Sequence, residues 1–398
     1  MRMSVYVHFP FCRSKCVYCD FCSLAADETV IERYCDSLMH EMELAASAYP
    51  DAEIETVYFG GGTPSIVPVP LMRRVLQKMH ACFAIQNGIE FTSEANPGAV
   101  TDAWLSAMAE AGMNRLSVGM QAKQERLLTL LSRIHRFAQV QDTLDMARGH
   151  GITNLSVDLM YGLPTQTLRE YLDSIRAAAD LGVKHISAYA LKVEDGTRLQ
   201  VMIETGEFAL PDEDETADMM DGGVELLESL GYRRYEISNF TRPGFDSKHN
   251  LQYWRQKYYL GLGLNAASML PASDAAYLRR SNTASPAEYQ SMLSAGQLPI
   301  AESMSVNRDE AMFETVMLGL RTTDGVRFVD FEAMHGKRLI DVYGGAVREL
   351  QSKGWLLPAD PADPRLALNN LGLALQNMAL MPFLREKRGG PGIKLHKN

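Results

Sequence analysis

Cys12, Cys16 and Cys19 fall within eight residues of one another, in the run FPFCRSKCVYCDFC. The spacing is C-x3-C-x2-C, directly after a short apolar segment. Three thiolates on one tight loop hold a metal centre and leave it one ligand short, and an open metal position is where a substrate binds and is activated. Two centres compete for these residues. Structural zinc takes four closed ligands; Cys22 would extend the run to C-x3-C-x2-C-x2-C, and His8 lies close by in sequence. A [4Fe–4S] cluster is normally held by four thiolates, so one held by three leaves an iron for an outside ligand. The spacing favours the open cluster over zinc, and either over three unligated thiols, which have no reason to crowd on one loop.

A loop of this kind needs a rigid frame. Short β-branched runs predict strands over 4–8, 55–59, 90–94, 115–119, 154–158 and 184–189. Between them, apolar residues at helical spacing predict helices over 29–48, 71–83, 102–111, 137–149 and 168–181. Alternating strands and helices imply a parallel sheet, and six units suit a partial (β/α)6 barrel of α/β class. The polar motifs gather at the C-terminal ends of the strands, the face that carries active sites in β/α barrels. The cysteine loop follows the first strand, Gly60-Gly61-Gly62-Thr63-Pro64 the second and Glu94-Ala95-Asn96-Pro97 the third; Gln121 and Asp158 end the fourth and fifth. The glycine run permits close backbone approach. Glu94, Gln121, Arg133 and Asp158 are each ordinary loop polar residues when taken singly. As a set on one face they suit a molecule bearing an amine, a carboxylate and ribose hydroxyls.

The rest of the chain bounds the reading. Its 398 residues, 46% hydrophobic, allow one large and one smaller domain. The expected division is a barrel over 1–210, an extension over 211–300, a small helical or winged-helix domain over 301–385 and a flexible tail over 386–398. An acidic helix over 212–230, a strand over 235–237, an irregular aromatic stretch to 267 and a helical pattern over 306–384 are expected within it. Arg385, Lys387, Arg388, Lys394 and Lys397 make the end basic, and it reads as disordered. The net charge of −10 argues against nucleic-acid binding. No secretory signal and no stretch of ~20 apolar residues argue against stable membrane insertion. Six cysteines, three of them clustered, fit a reducing cytoplasmic setting better than a disulfide framework.

The cysteine run with Phe21, GGGTP, EANP and Tyr161-Gly162-Leu163-Pro164 together resemble the radical S-adenosylmethionine superfamily. The runs Leu210-Pro211-Asp212-Glu213-Asp214-Glu215, Tyr235-Glu236-Ile237-Ser238-Asn239-Phe240 and His249-Asn250-Leu251-Gln252-Tyr253-Trp254 resemble its HemN/HemW branch. That branch holds oxygen-independent coproporphyrinogen III oxidase and its haem-chaperone relative. The resemblance implies that Cys12, Cys16 and Cys19 bind a [4Fe–4S] cluster and that S-adenosylmethionine chelates the fourth iron. Tyr6 and Tyr18 would flank the cluster. Gly61, Gly62 and Thr63 would lie against the methionine end of the cofactor, and Glu94, Gln121, Arg133 and Asp158 would complete its pocket. The implied chemistry is electron transfer into the sulfonium, giving a 5′-deoxyadenosyl radical, with flavodoxin or ferredoxin as donor. A homodimer is a further expectation.

Oxidases of the branch carry a longer segment before the first cysteine and a fourth cysteine two positions after the third. Here eleven residues precede Cys12, and Phe21 takes that position, with Cys22 one residue later. Both departures point to the haem-chaperone group, which binds haem and passes it to haem-requiring proteins. Decarboxylation of coproporphyrinogen III is the alternative, a zinc-stabilised binding module the third reading, and no residue is assigned as catalytic. Ligation by Cys22 would close the open iron, so Cys22 is expected to be a small buried hydrophobe, as are Cys35 and Cys82. His249, Asn250, Tyr253 and Trp254 form the candidate haem region; a hydrogen-bonded structural histidine beside packed aromatics is the competing reading. Where relatives usually read GLGxGAHS, this chain has Ala267 in place of the histidine.

Overall fold

The structure is a computed structural model and describes residues 1–387. Arg388, Lys394 and Lys397 of the expected basic tail lie outside the described residues. The first half alternates as expected: β1 (Arg2–Phe9), α1 (Glu28–Ala48), β2 (Glu53–Gly61), α2 (Val69–Cys82), β3 (Ala84–Ala95), α3 (Asp102–Glu110), β4 (Arg115–Gln121), α4 (Glu125–Leu130), α5 (Phe137–Gly149), β5 (Asn154–Tyr161), α6 (Leu168–Asp180) and β6 (His185–Ala190). Side-chain caps start several of these helices: Asp27 accepts from the Val30 N–H, and Thr167 and Glu170 form a reciprocal capping box.

Strands β1 to β6 pair in chain order, all parallel. β1 does not pair with β6, so the barrel stays open, a partial (β/α)6 arrangement. Instead the sheet continues at both edges to a total of 12 strands. The elements responsible follow α7 (Arg198–Glu204) and α8 (Glu213–Ser229). β7 (Arg233–Arg234) and β8 (Asn239–Thr241) run antiparallel beyond β6. Then come α9 (Lys248–Trp254), β9 (Tyr259–Leu262), β10 (Ala267–Leu270), β11 (Tyr277–Asn282), α10 (Pro286–Ser294) and β12 (Ile300–Val306). β9 is parallel to β1, and β10 to β12 follow antiparallel.

Two expectations change here. Residues 235–237 are not a strand. Glu236 turns the chain between β7 and β8, its Oε1 accepting from the Ser238 N–H (2.8 Å) and Asn239 Nδ2 (2.6 Å). The stretch to 267, expected to be irregular, contributes one helix, α9, and two sheet strands, β8 and β9.

The last part packs α11 (Arg308–Gly319), α12 (Phe328–His335), α13 (Leu339–Ser352), α14 (Asn370–Ala374) and α15 (Gln376–Lys387) with a two-stranded sheet, β13 (Val326–Arg327) and β14 (Arg365–Leu366). It has its own apolar core around Val316, Leu320, Phe331, Leu339 and Phe383. Among the described residues no helix is long and apolar enough to cross a membrane.

The barrel strands bury both faces, as parallel sheets do, but the faces differ. One carries Val5, Val7, Phe9, Val57, Phe59, Leu116, Val118 and Val157, packed against Leu38, Met42 and Leu76 of the surrounding helices. The other carries Tyr58, Glu94, Ser117, Asp158 and Ser187. The register sets Glu94 beside Ser117 and Asp158 beside Ser187.

Candidate functional site

The cysteine loop is pinned to its surroundings by backbone hydrogen bonds. The Cys12 N–H donates to Leu24 O (3.1 Å), Val17 N–H to Leu131 O (3.3 Å) and Leu199 N–H to Val17 O (2.9 Å). The Gly62 N–H donates to Phe9 O (2.8 Å), which ties the glycine turn to the entry of the loop. A Cβ on Gly62 would lie 2.5 Å from the Phe11 carbonyl oxygen, so this close approach of two backbones requires glycine. Gly61 has φ +102, which also favours glycine. Cys12 Sγ lies 3.7 Å from Thr63 Oγ1, and Arg133 Nη1 donates to Cys16 Sγ at 3.5 Å. Arg133 is held by Nη2 donating to Asn96 Oδ1 (3.0 Å) and Gly119 O (2.9 Å).

Cys12, Cys16 and Cys19 all line one cavity of about 450 Å³, with Tyr18, Gly61, Gly62, Thr63, Glu94, Gln121, Arg133 and Asp158. Two of its acid groups, Glu94 and Asp158, are held away from water. Burial raises the Glu94 carboxyl to about 7, opposed by the Tyr58 hydroxyl that donates to Oε1 (2.7 Å) and the Gly61 N–H that donates to Oε2 (3.1 Å). Burial raises Asp158 as well, against hydrogen bonds from Ser187 and Ser117, the latter at 3.2 Å. Two carboxyls kept from water this way gain most from a ligand that brings positive charge. Gln121 adopts φ 63, strained for a non-glycine residue, and accepts from the Tyr189 hydroxyl at 3.1 Å.

The donor set suits a cluster. Three soft sulfur ligands face one space, and Arg133 gives it a fixed cation. Two buried polar atoms on the lining, Arg133 Nε and Asn239 Oδ1, have no protein partner, which fits a polar ligand alongside. Among the described residues no three His, Cys, Asp or Glu side chains are gathered closely enough for a single metal ion. Cys22 does not line the cavity. It packs on the main apolar core, and its carbonyl oxygen lies 2.9 Å from His8 Nε2.

Residues 6–178 match the radical SAM superfamily, and residues 306–359 match the HemN C-terminal domain. A Bacillus subtilis protein named heme chaperone HemW is 32% identical over 386 residues, covering 96% of this chain and 99% of the relative. The proteins of that name from Escherichia coli and Synechocystis are 33% and 35% identical, each over 84% of this chain and over 86% and 82% of their own lengths. The chain belongs to the HemW family of radical SAM proteins. The solved structure of Escherichia coli coproporphyrinogen III oxidase (HemN) has the same fold, with a TM-score of 0.82 and 21% identity over 96% of this chain and 89% of that one.

Within this HemW fold the sequence-derived residues separate into groups. Tyr6 stands behind the cavity lining, stacked on Tyr58 (ring centroids 6.1 Å apart), with its hydroxyl 2.9 Å from His8 Nδ1. The His249 run forms α9, which packs inside the barrel against β2 and β3. The His249 and Lys248 N–H groups donate to the Glu90 carboxylate, both at 2.9 Å. Each ring nitrogen of His249 is engaged, Nδ1 with Thr56 Oγ1 (2.7 Å) and Nε2 with Tyr253 Oη (2.8 Å). Burial and then the Arg115 charge lower its pKa to about 3. The imidazole is therefore neutral, and its lone pair is spent inside the protein. Of the four candidate haem residues only Asn250 lines the cysteine cavity. Trp254 lies under Arg321, whose guanidinium is 4.6 Å from the ring centroid.

Tyr58, Asn96, Arg115, Ser117, Ser187, Tyr189 and Asn239 also line the cysteine cavity and were not assigned to the site from sequence, although Asn96 and Asn239 stand inside quoted motifs. A signal for several of them exists. Polar residues recur every second position in β3 to β6, as in Thr92/Glu94, Arg115/Ser117, Ser156/Asp158 and Ser187/Tyr189.

Proposed function

We propose that this protein is a haem carrier of HemW type, with a [4Fe–4S] cluster on Cys12, Cys16 and Cys19, S-adenosylmethionine beside it, and haem as cargo for haem-requiring proteins. The observation that carries the reading is the convergence of three cysteines, a glycine turn and two buried carboxyls on one cavity, in a chain whose full-length relatives are named heme chaperones. Bound there, the cluster would supply a low-potential electron for chemistry at the sulfonium; a flavodoxin- or ferredoxin-like donor in the cytoplasm belongs to the same reading.

The chain's own residues do the rest. Gly61, Gly62 and Thr63 hold the methionine end, the glycines admitting the ligand close to backbone. Glu94 receives the α-ammonium. Asp158, Gln121 and Ser117 offer acceptors and donors to ribose hydroxyls. Arg133 donates to Cys16 Sγ and places a fixed positive charge beside it. Tyr18 covers the cluster from the side and excludes water. Tyr6 acts from behind, by bracing Tyr58, which donates to Glu94. A homodimer belongs to the same reading.

Oxidation of coproporphyrinogen III is the second reading, and the shared HemN fold is the observation behind it. Against it stand the names of the more similar relatives and Phe21, which takes the position of the oxidases' fourth cysteine. The deciding experiment gives reconstituted protein coproporphyrinogen III, reductant and S-adenosylmethionine, and separately offers haem-loaded protein an apo haem protein. Haem transfer without protoporphyrinogen is expected. Protoporphyrinogen at catalytic turnover, or no transfer, overturns the proposal.

A further inference from the structure

The cysteine cavity runs deeper into the barrel than the residues that face the cofactor. β4 begins at Arg115 and ends at Gln121, so the two stand about 20 Å apart along the strand. Ser117, which faces the ribose, is one pleat above Arg115, about 7 Å away. Arg115 nevertheless lines the same cavity as Gln121 and the cysteines. Ser187, Asn239 and Asn250 line it too and take no part in holding the cofactor.

Arg115 is 2% exposed, yet among the described residues no protein group accepts a hydrogen bond from its guanidinium. Its Nε is a third buried lining atom without a partner, after those of Arg133 and Asn239. Thr92, its register partner on β3, is fully buried and its Oγ1 also has no partner. Glu94 and Asp158 feel the Arg115 charge, but neither forms an ion pair with it. Their carboxyls are taken up by Tyr58 and Gly61, and by Ser117 and Ser187. The two imidazoles that feel the same charge are engaged at both nitrogens. His185 bonds Ser156 Oγ (2.8 Å) and Tyr235 Oη (2.9 Å), and His249 bonds Thr56 and Tyr253. A guanidinium carries five N–H donors, and a buried cation left without acceptors is costly. An unmet fork at the bottom of an open cavity is a place for an anion.

We infer that Arg115 forms the floor of a second subsite in this cavity, which takes the carboxylate of a small organic acid on the barrel side of S-adenosylmethionine. A planar monoanion matches the guanidinium fork with two parallel hydrogen bonds. A phosphate dianion suits it less, because Glu94 and Asp158 already bring two acid groups into the same space. The whole cavity is about 450 Å³, so with the cofactor in place the remainder admits a ligand of a few heavy atoms and no macrocycle. Held on Arg115, the acid turns its carbon end toward Ser117 and the ribose. The inference rests on the cofactor part of the proposed function and adds a ligand class to that cavity.

The test dialyses full-length, cluster-reconstituted protein, saturated with S-adenosylmethionine, against carbon-14 acetate under anaerobic conditions. Saturable binding is expected, displaced by unlabelled acetate but not by acetamide, which has the same shape and no charge. This comparison needs no variant, so it stands even where a change at a buried arginine impairs folding. Arg115→Lys keeps the charge but loses the fork, and should weaken acetate binding about tenfold; Arg115→Met should abolish it. No saturable binding means that water meets the Arg115 donors, and overturns the inference. So does displacement by acetamide as readily as by acetate, or a folded Arg115→Met variant with wild-type affinity. If the reconstituted protein holds no cluster or no S-adenosylmethionine, the cofactor reading fails and the inference falls with it; if it holds both and binds no acetate, only the inference fails.

Discussion

Glu94 offers a quantitative test of the cofactor pocket. Its carboxyl stands at about 7 because burial costs the charged form more than the Tyr58 and Gly61 donors return. A ligand ammonium binds the ionised form, so affinity for S-adenosylmethionine should fall as pH drops through the Glu94 pKa. A carboxyl at about 7 is roughly seven-tenths ionised at about pH 7.4 and roughly one-twentieth at about pH 5.8. The ligand amine, taken near ~7.8 like an α-amino group, is partly deprotonated at the upper pH, which leaves a net drop of about ninefold, or ~1.3 kcal/mol. Asp158, also raised by burial, adds in the same direction. His135 does not interfere, since burial and then Arg133 lower it to about 4. Glu94→Gln keeps an acceptor for Tyr58 but loses the charge. Removing one member of a buried charge pair costs about 2 kcal/mol or more, so the variant should bind at least ~30-fold more weakly near neutrality and lose most of its pH slope. Calorimetric titration of reconstituted protein at the two pH values reads both effects. A wild-type affinity that is flat across this interval, or a Glu94→Gln variant with the wild-type slope, would refute the ammonium assignment.

Other predictions concern the frame. Gly62→Ala drives a Cβ toward the Phe11 carbonyl oxygen and should cost about 1–3 kcal/mol, with lower iron retention after gel filtration. Cys16→Ala should abolish the cluster absorbance, whereas Cys22→Ala, on the core side of the loop, should keep wild-type iron content. Glu41 is buried where Gly263 N–H (2.7 Å), Tyr289 Oη (2.5 Å) and Asn282 Nδ2 (2.6 Å) all donate to it, yet burial still raises it from 4.5 to about 7. A raised carboxyl gives stability that is full below 4.5 and lost as pH rises to about 7, here about 3 kcal/mol. Urea unfolding at pH 4.5 and pH 8 should show Glu41→Gln lacking that share of the pH dependence; an identical pH dependence in both proteins would contradict it.

Much of this was legible because the chemistry lies at strand ends. All six barrel strands and the five helices expected among them lie where hydrophobic periodicity places them. The strands run on further than expected, as at Gly60 and Gly61, because glycine weakens a strand signal while the backbone still pairs with His8 and Phe9. The short α4 was invisible; six residues are too few to display a period. The added strands β9 to β12 were obscured because their polar and small residues, as in Gly261 and Ala267, give no alternation. Ala267 proves to be a β10 residue, and its backbone oxygen would lie 2.1 Å from a Cβ on Gly261, so the glycine at that crossing is a packing requirement. The cysteines, Glu94 and Asp158 were singled out by type and position in the sequence, and the structure sets them around one cavity. Arg115 and Ser187 were missed because nothing but the register of separate strands brings them to the cavity. His249 shows the limit of motif reading: the sequence marks it as special, but only the structure reveals Thr56 and Tyr253 on its two nitrogens.

The central claim is a three-cysteine cluster with one iron open to S-adenosylmethionine. Iron analysis with electron paramagnetic resonance of the reduced, anaerobically reconstituted protein, before and after addition of S-adenosylmethionine, tests it most directly. About four irons per chain and a signal that changes on addition are predicted. A signal indifferent to S-adenosylmethionine, as from a centre capped by four cysteines, or a colourless protein that carries zinc, would contradict it.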